Sequence, residues 1–311
     1  MKKINTFLKN NFNKLVSYRR YFHQNPEVGY EEKYTSDFLK KILIDSNLQI
    51  FQNKKMKYGF YTELGPESKK ILAIRSDIDA LPIQDTKECE YSSKIKNTMH
   101  ACGHDAHMTI LIGLILFLKE NETKLKGRLR FIFQPAEECS PGGAICMIKG
   151  GAIENVTNII GYHLYPKLDA GQIAIKNNYI SSTVSILNIE LSCSGGHTSR
   201  PEESVDLILA ASKLICKFNK NIKSLIKPNS PIVLVFGSIY GGNTFNVIPS
   251  LITLKGTLRY INQDLETKIL TMLKNTCNDI SLKYGAKIKI EIPYTSPSIY
   301  NDKDLTKLII S

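Results

Sequence analysis

The stretch that most constrains this chain is Met99-His100-Ala101-Cys102-Gly103-His104-Asp105-Ala106-His107, which opens directly onto the apolar run 108–118. Three of the six histidines and one of the seven cysteines fall inside it. The run reads as a buried helix, which places these polar residues at a helix start against a core. Cys102 and His104 stand two apart across a glycine, where a helix N-terminus stabilises a thiolate. Cys and His are also the ligand types that zinc-like metals prefer. The same residues read equally as a chance cluster, or as core histidines with hydrogen-bond partners, because two ligands do not close a metal site.

The rest of the chain weighs in at strand ends. Residues 1–22 carry apolar positions at helical spacing, and residues 31–44 read as a second helix. His23, in the turn between them, reads as a structural histidine. Residues 71–74 form a short β-type run that ends in Arg75-Ser76-Asp77-Ile78-Asp79. Residues 129–133 form another, running into Gln134-Pro135-Ala136-Glu137-Glu138, and residues 156–162 a third, ending at His163. Neighbouring carboxylates on an extended chain face apart, so one of Glu137 and Glu138 can hold a metal while the other faces substrate or water. Acids after an apolar strand mark the C-terminal edge of a buried parallel sheet, where α/β proteins collect their sites. Three strand ends and one helix start thus bring Asp77 and Asp79, Glu137 and Glu138, His163, and Cys102 with His104 to such an edge. That convergence is the signature of a metal site.

Near residue 178 the pattern changes. Strand 183–193, helix 205–218, strands 232–240 and 250–260, helix 265–284 and strand 287–293 follow one another. The order β-α-β-β-α-β is a split βαβ, ferredoxin-like unit. The expected fold class is therefore α/β, with a mostly parallel-sheet first domain over 1–177 and an inserted ferredoxin-like domain over 178–293. Residues 294–311 would begin the return to the first domain.

Composition narrows the function. The net charge of +12 could point to nucleic acid, but the lysines are scattered among acids and no basic stripe interleaved with aromatics occurs. Nucleic acid is therefore not an expected partner. Seven widely spaced cysteines suit reduced thiols in a cytoplasmic setting. The N-terminus has no apolar signal-type core, and the longest apolar run is far too short to span a membrane.

FHQNPEVGYEE, RSDIDALPI, MHACGHDAHM, FIFQPAEE, GYHLYP, GGHTSRP with VD after it, and GGNTFNVIP followed by LKGTLR occur in this order along nearly the whole chain. Together they resemble the amidohydrolase branch of the aminoacylase/carboxypeptidase-type dinuclear metallopeptidases. That branch contains hippurate hydrolases, N-acyl-amino-acid amidohydrolases, N-acetyl-diaminopimelate deacetylases and auxin-conjugate hydrolases. The resemblance implies two divalent metal ions per subunit, of zinc, manganese, cobalt or nickel type. Cys102, His104, Glu138 and His163 would be ligands, with Cys102 bridging. Glu137 would be the general base and Asp79 its electrostatic helper. His197 would stabilise the oxyanion in the partner subunit's site, while Asn246 and Arg259 would bind the substrate carboxylate. The substrate would be a small N-acyl amino acid, and the inserted domain would serve as lid and homodimer interface.

The pattern departs from the family in one place. Relatives carry a further ligand histidine near the C-terminus, and here no histidine follows His197. Either a fragment or a shortened product is implied, and the chain as written is expected to bind metal loosely and turn over weakly. A non-catalytic relative that keeps the fold is the alternative. A di- or tripeptidase fits less well, because those relatives carry His-x-Asp where this chain has Asp77-Ile78-Asp79, and a carboxylate in place of Cys102.

Overall fold

The computed structural model describes residues 2–228 and 230–310. The chain divides into two compact units, 1–170 and 171–311. Its architecture is α/β.

In the first unit the elements run α1 (Lys2–Gln24), α2 (Lys33–Ile44), β1 (Ile50–Phe51), β2 (Phe60–Leu64), β3 (Ile71–Asp77), α3 (His104–Glu120), β4 (Arg128–Gln134), α4 (Ala144–Lys149) and β5 (Val156–Gly161). The strands form one sheet in the order β1-β2-β4-β3-β5. Its β4, β3 and β5 are parallel, while β2 and β1 add antiparallel at one side. Helix α3 packs against β3, β4 and α1. Being covered on more than one face, it is apolar nearly all round rather than striped. Its Met108, Leu111, Ile112 and Ile115 join Phe22, Leu39, Phe60, Phe131 and Phe133 in one core. Each such side chain contributes roughly 1.5–3 kcal/mol by leaving water.

Register places the site. Asp77 on β3 pairs with Gln134 on β4, and Arg75 pairs with Gly161 at the end of β5. Three parallel strands therefore stop nearly level. The residues that follow them emerge together at one edge of the sheet, beside the first turn of α3.

The second unit runs β6 (Asn178–Tyr179), β7 (Thr183–Ser192), β8 (Gly196–His197), α5 (Leu207–Lys223), β9 (Ile232–Tyr240), β10 (Val247–Ile248), β11 (Leu251–Tyr260), α6 (Glu266–Tyr284), β12 (Lys287–Ser296), β13 (Tyr300–Asn301) and α7 (Lys303–Ile310). Four long strands make an antiparallel sheet ordered β12-β7-β11-β9. The succession β7-α5-β9-β11-α6-β12 is the βαββαβ order, as the sequence pattern anticipates. Alternate residues face the helices, as a period of two requires. Leu187, Ile189 and Leu191 of β7 and Ile252, Leu254, Leu258 and Tyr260 of β11 pack on Ala210, Leu214 and Phe218 of α5 and Ile269, Leu273 and Cys277 of α6. Two small pairings complete the unit, β8 with β10 and β6 with β13. No helix among the described residues is long and apolar enough to cross a membrane.

Candidate metal centre

The start of α3 is set by Gly103, at φ +84. A side chain there would be strained, and its Cβ would stand 2.7 Å from Leu164 Cδ1. Glycine thus lets the Leu164 segment close onto the turn that carries Cys102 and His104. His163 is held on either side by His107: the Tyr162 hydroxyl donates to the His107 carbonyl at 2.6 Å, and Leu164 N–H donates to His107 Nε2 at 2.9 Å.

These bonds fix protonation. His107 Nε2 accepts from Leu164, so its Nδ1 carries the proton and donates to Asp77 Oδ1 at 2.7 Å. Both ring nitrogens are occupied, so His107 orients its neighbours and does not ligate. His104 Nδ1 faces the Asp79 carbonyl at 2.8 Å and His163 Nδ1 faces the Leu164 carbonyl at 2.6 Å. A carbonyl only accepts, so each Nδ1 is protonated and each Nε2 of the neutral ring offers a lone pair. Burial works against a charged His104 ring, but the Asp79 hydrogen bond and the Asp77 charge outweigh it and raise its pKa, so a cation would compete with a proton for that nitrogen.

His104 Nε2 is buried and has no hydrogen-bond partner. Around it lie Asp77 Oδ2 at 3.7 Å, Glu137 Oε2 at 3.9 Å and Glu138 Oε1 at 4.0 Å. Cys102, His104 and Glu138 form one group with metal-ligand spacing. Asp77, His104 and Glu137 form a second, and His104, His107 and His163 a third by distance alone, since both His107 nitrogens are engaged in hydrogen bonds. His104 belongs to all three. A buried lone pair among carboxylates and a thiol is what a divalent cation satisfies, and what a protein without one leaves unpaired. The residues present fit a metal.

The electrostatics agree. Burial and the neighbouring Glu138, Glu137 and Asp77 push the Cys102 thiol up to about 12. The helix start alone therefore does not hold a thiolate here, and a cation would have to. Glu137 is raised above the usual carboxylate range, by burial first and Glu138 second. Burial works against the Asp77 charge, but the His107 hydrogen bond and Arg75 outweigh it and hold Asp77 low. Arg75 donates to Asp77 Oδ2 at 2.6 Å and to Gln134 Oε1 at 2.9 Å.

The two adjacent glutamates do not face apart as an extended chain would make them. After β4 the chain bends at Ala136, φ +49, and both carboxylates come within 4.0 Å of the same His104 nitrogen. Asp79 ties the bend to the rest, since its Oδ2 accepts Glu138 N–H at 2.9 Å. His23 is indeed structural, at the end of α1, bonded through Nδ1 to Asp105 at 2.7 Å.

His197, Asn246 and Arg259 belong to the second unit. His197 pairs with Val247 across β8 and β10, and Thr198 N–H donates to the Asn246 carbonyl at 3.1 Å, so these two are stitched together. His197 Nδ1 lies 3.1 Å from Ser199 N–H and 2.7 Å from its hydroxyl. It accepts from that N–H, which leaves the ring proton on Nε2. Arg259 lies on β11 and is exposed on the face away from the helices.

Residues 73–311 match the model of peptidase family M20/M25/M40. The chain is 34% identical over 296 residues to N-acetyl-L-cysteine deacetylase of Bacillus subtilis, covering 95% of this chain and 71% of that one. The chain belongs to peptidase family M20/M25/M40. It falls in the amidohydrolase branch, with 34% identity to IAA-amino acid hydrolase ILR1-like 4 of Arabidopsis thaliana over 94% of this chain and 67% of that one. Among solved structures, a dinuclear metal binding peptidase of the M20 family from Bacillus subtilis superposes with a TM-score of 0.83 at 30% identity, covering 96% of this chain and 78% of that one. The donor groups gathered here and the metal binding of that structural relative together support a divalent-metal site in this chain. Pattern reasoning missed His107 as the anchor of the site. Its signal is its place three residues after His104, on the same helix face.

Proposed function

We infer that the chain is a metal-dependent amidohydrolase that cleaves the amide bond of N-acyl amino acids, and we propose the following division of labour. The observation that carries it is the buried His104 Nε2, unpaired among Asp77, Glu137 and Glu138. Cys102, His104, Glu138 and His163 are the residues that would hold divalent metal, two ions being expected with Cys102 shared between them. Zinc, manganese, cobalt or nickel suit this mixed S, N and O donor set. A bound ion lowers the pKa of a water from 15.7 toward 7 and polarises the substrate carbonyl.

Glu137 takes the proton of the attacking water and passes it to the departing amine nitrogen as the C–N bond breaks. Its raised pKa suits both steps. Asp79 keeps the ligands in place through Glu138 N–H and His104 Nδ1. His197 donates its Nε2 proton to the oxyanion, a contribution of roughly 3 kcal/mol in comparable sites. Asn246 and Arg259 hold the carboxylate of the amino acid.

Residues 178–293 serve as a lid inserted between 1–177 and 294–311, and as the interface of a homodimer in which His197 serves the partner's site. The pairing of Asn178 with Asn301 and Tyr179 with Tyr300 supports an insertion, because it brings together the chain on both sides of the βαββαβ block. All seven cysteines are free, which suits the cytoplasm.

The test is amino-acid release from N-acetyl and N-benzoyl amino acids with bound metal measured in parallel. Glu137→Gln should abolish release and keep the metal, whereas Glu138→Gln should lose metal. Mixing His197→Ala with Glu137→Gln chains should restore release in verified heterodimers. Normal release by Glu137→Gln would refute the base assignment, and no rescue on mixing would refute action in trans.

A further inference from the structure

Glu32 is a carboxylate that the reaction does not touch, yet it is completely buried. It immediately precedes α2, whose Ser36 N–H bonds to its main-chain oxygen at 2.9 Å. Its Oε1 accepts the Ala136 N–H at 2.7 Å, while Oε2 has no hydrogen-bond partner. Burying a carboxyl is unfavourable unless it holds something, and burial pushes this one up to about 7.

What it holds is the bend before the two glutamates. Ala136 sits at φ +49, a left-handed conformation that residues with a Cβ seldom adopt. Both of its main-chain polar groups are engaged, the N–H by Glu32 and the carbonyl by Gly143 N–H at 2.8 Å. Gly29 closes the other side, since a Cβ there would overlap Cys139 Sγ and stand 3.1 Å from Ala136 Cα. The segment that carries Gly29 and Glu32 is itself anchored. The Glu27 carbonyl accepts Ala80 N–H at 2.8 Å, and the Glu27 carboxylate accepts the N–H groups of Tyr34 and Thr35. Glu137 therefore stands between two clamped amides, that of residue 136 on Glu32 and that of residue 138 on Asp79.

We propose that Glu32 is a positioning residue that sets the aim of Glu137 by clamping the Ala136 turn. The proposal rests on Glu137 acting as the base. An amide acceptor at position 32 is enough for the clamp, so glutamine should serve where alanine fails.

The full chain, labelled with ¹⁵N-alanine, is compared as parent, Glu32→Ala and Glu32→Gln. Hydrogen exchange at the Ala136 amide reads the clamp without any need for turnover. Glu32→Ala should speed that exchange by at least about tenfold, and Glu32→Gln should keep it near the parent value. Release of amino acid is measured alongside, with Glu137→Gln as the control for the functional reading. Glu32→Ala should lower kcat by about ten- to a hundredfold, the scale of a small misplacement, with KM and bound metal nearly unchanged. Glu32→Gln should recover most of that loss. Unchanged exchange at Ala136 in Glu32→Ala overturns the clamp whatever the turnover. Faster exchange with an unchanged kcat, or a loss of kcat that glutamine does not recover, reduces Glu32 to a fold-stabilising residue. An inactive parent, or an unaffected Glu137→Gln, tells instead against the functional reading, and the amide then decides the clamp alone.

Discussion

The two units hold their functional side chains in opposite ways. In the first, His104 and Asp77 are 1% exposed and His107 is sealed, each locked by hydrogen bonds that also fix its protonation, and the exposed Glu137, Glu138 and His163 gather around this buried frame. In the second, His197 and Arg259 are exposed and Asn246 is half-buried, and of the three only Arg259 lies on a strand whose other face makes the core. The first arrangement is preorganised, with its desolvation already met by the fold. The second leaves solvated donors whose electrostatic value rises only once water is excluded. Removing a buried group of the first, such as His104 or Asp77, should disturb ligands, metal and fold together, whereas removing the exposed Glu137 or a group of the second should disturb turnover alone.

The largest effect should follow at the base. Glu137→Gln is expected to lower kcat by about 10²–10⁴-fold, read in steady-state kinetics, with the circular dichroism spectrum unchanged. His197→Ala should come next, at about 10²–10³-fold in kcat. Bound metal should not move, and a loss of metal in His197→Ala would break the contrast between the units.

A pH effect of intermediate size belongs to the first unit. Glu32 keeps its proton in the folded state up to about 7, from an ordinary value of 4.5, chiefly because it is buried. The unfolded chain has released that proton by then, so this group's contribution to stability falls as pH rises between those values and levels off above them. Glutamine cannot ionise. The stability of Glu32→Gln relative to the parent should therefore rise by up to about 3 kcal/mol between pH 4.5 and 8, measured by urea unfolding. A gap that does not change with pH would show Glu32 ionised throughout.

Smaller again is Asp77→Asn. It weakens the hold on His107, and through it on the His163 loop, and should cost about 10–100-fold in metal affinity by competition with a chelating dye. The smallest effect sharpens the comparison. His197→Ala should change unfolding free energy by no more than about 0.5 kcal/mol, since its ring lies at the surface.

Much of this was legible in the chain itself. The βαββαβ block could be read from alternation and helical spacing, because its strands bury one face only and its helices are amphipathic. The meeting of Cys102, His104, Asp77, Glu137 and Glu138 could be read from where apolar runs stop. Strands β1 and β2 were not legible, being two and five residues long and carrying no motif. Nor was the shared direction of Glu137 and Glu138, which depends on the backbone sign at Ala136. Alanine gives no hint of a left-handed bend, as glycine would. Glu32 was hidden for a related reason: a glutamate beside another glutamate before a helix looks like solvated charge until its distant partner at residue 136 is known.

The place of β7 has a consequence for synthesis. Its Ser192 pairs with both Leu251 and Lys287, so neither edge of the strand finds its partner until much later residues have left the ribosome. At about 5–20 residues per second, the second edge waits roughly 5–20 seconds. Until α5 and β11 have emerged, Leu187, Ile189 and Leu191 have neither helix nor sheet to cover them. The first sheet, whose last strand ends at Gly161, is complete by then. The nascent second unit is thus where chaperones should engage and where aggregation during overexpression should begin.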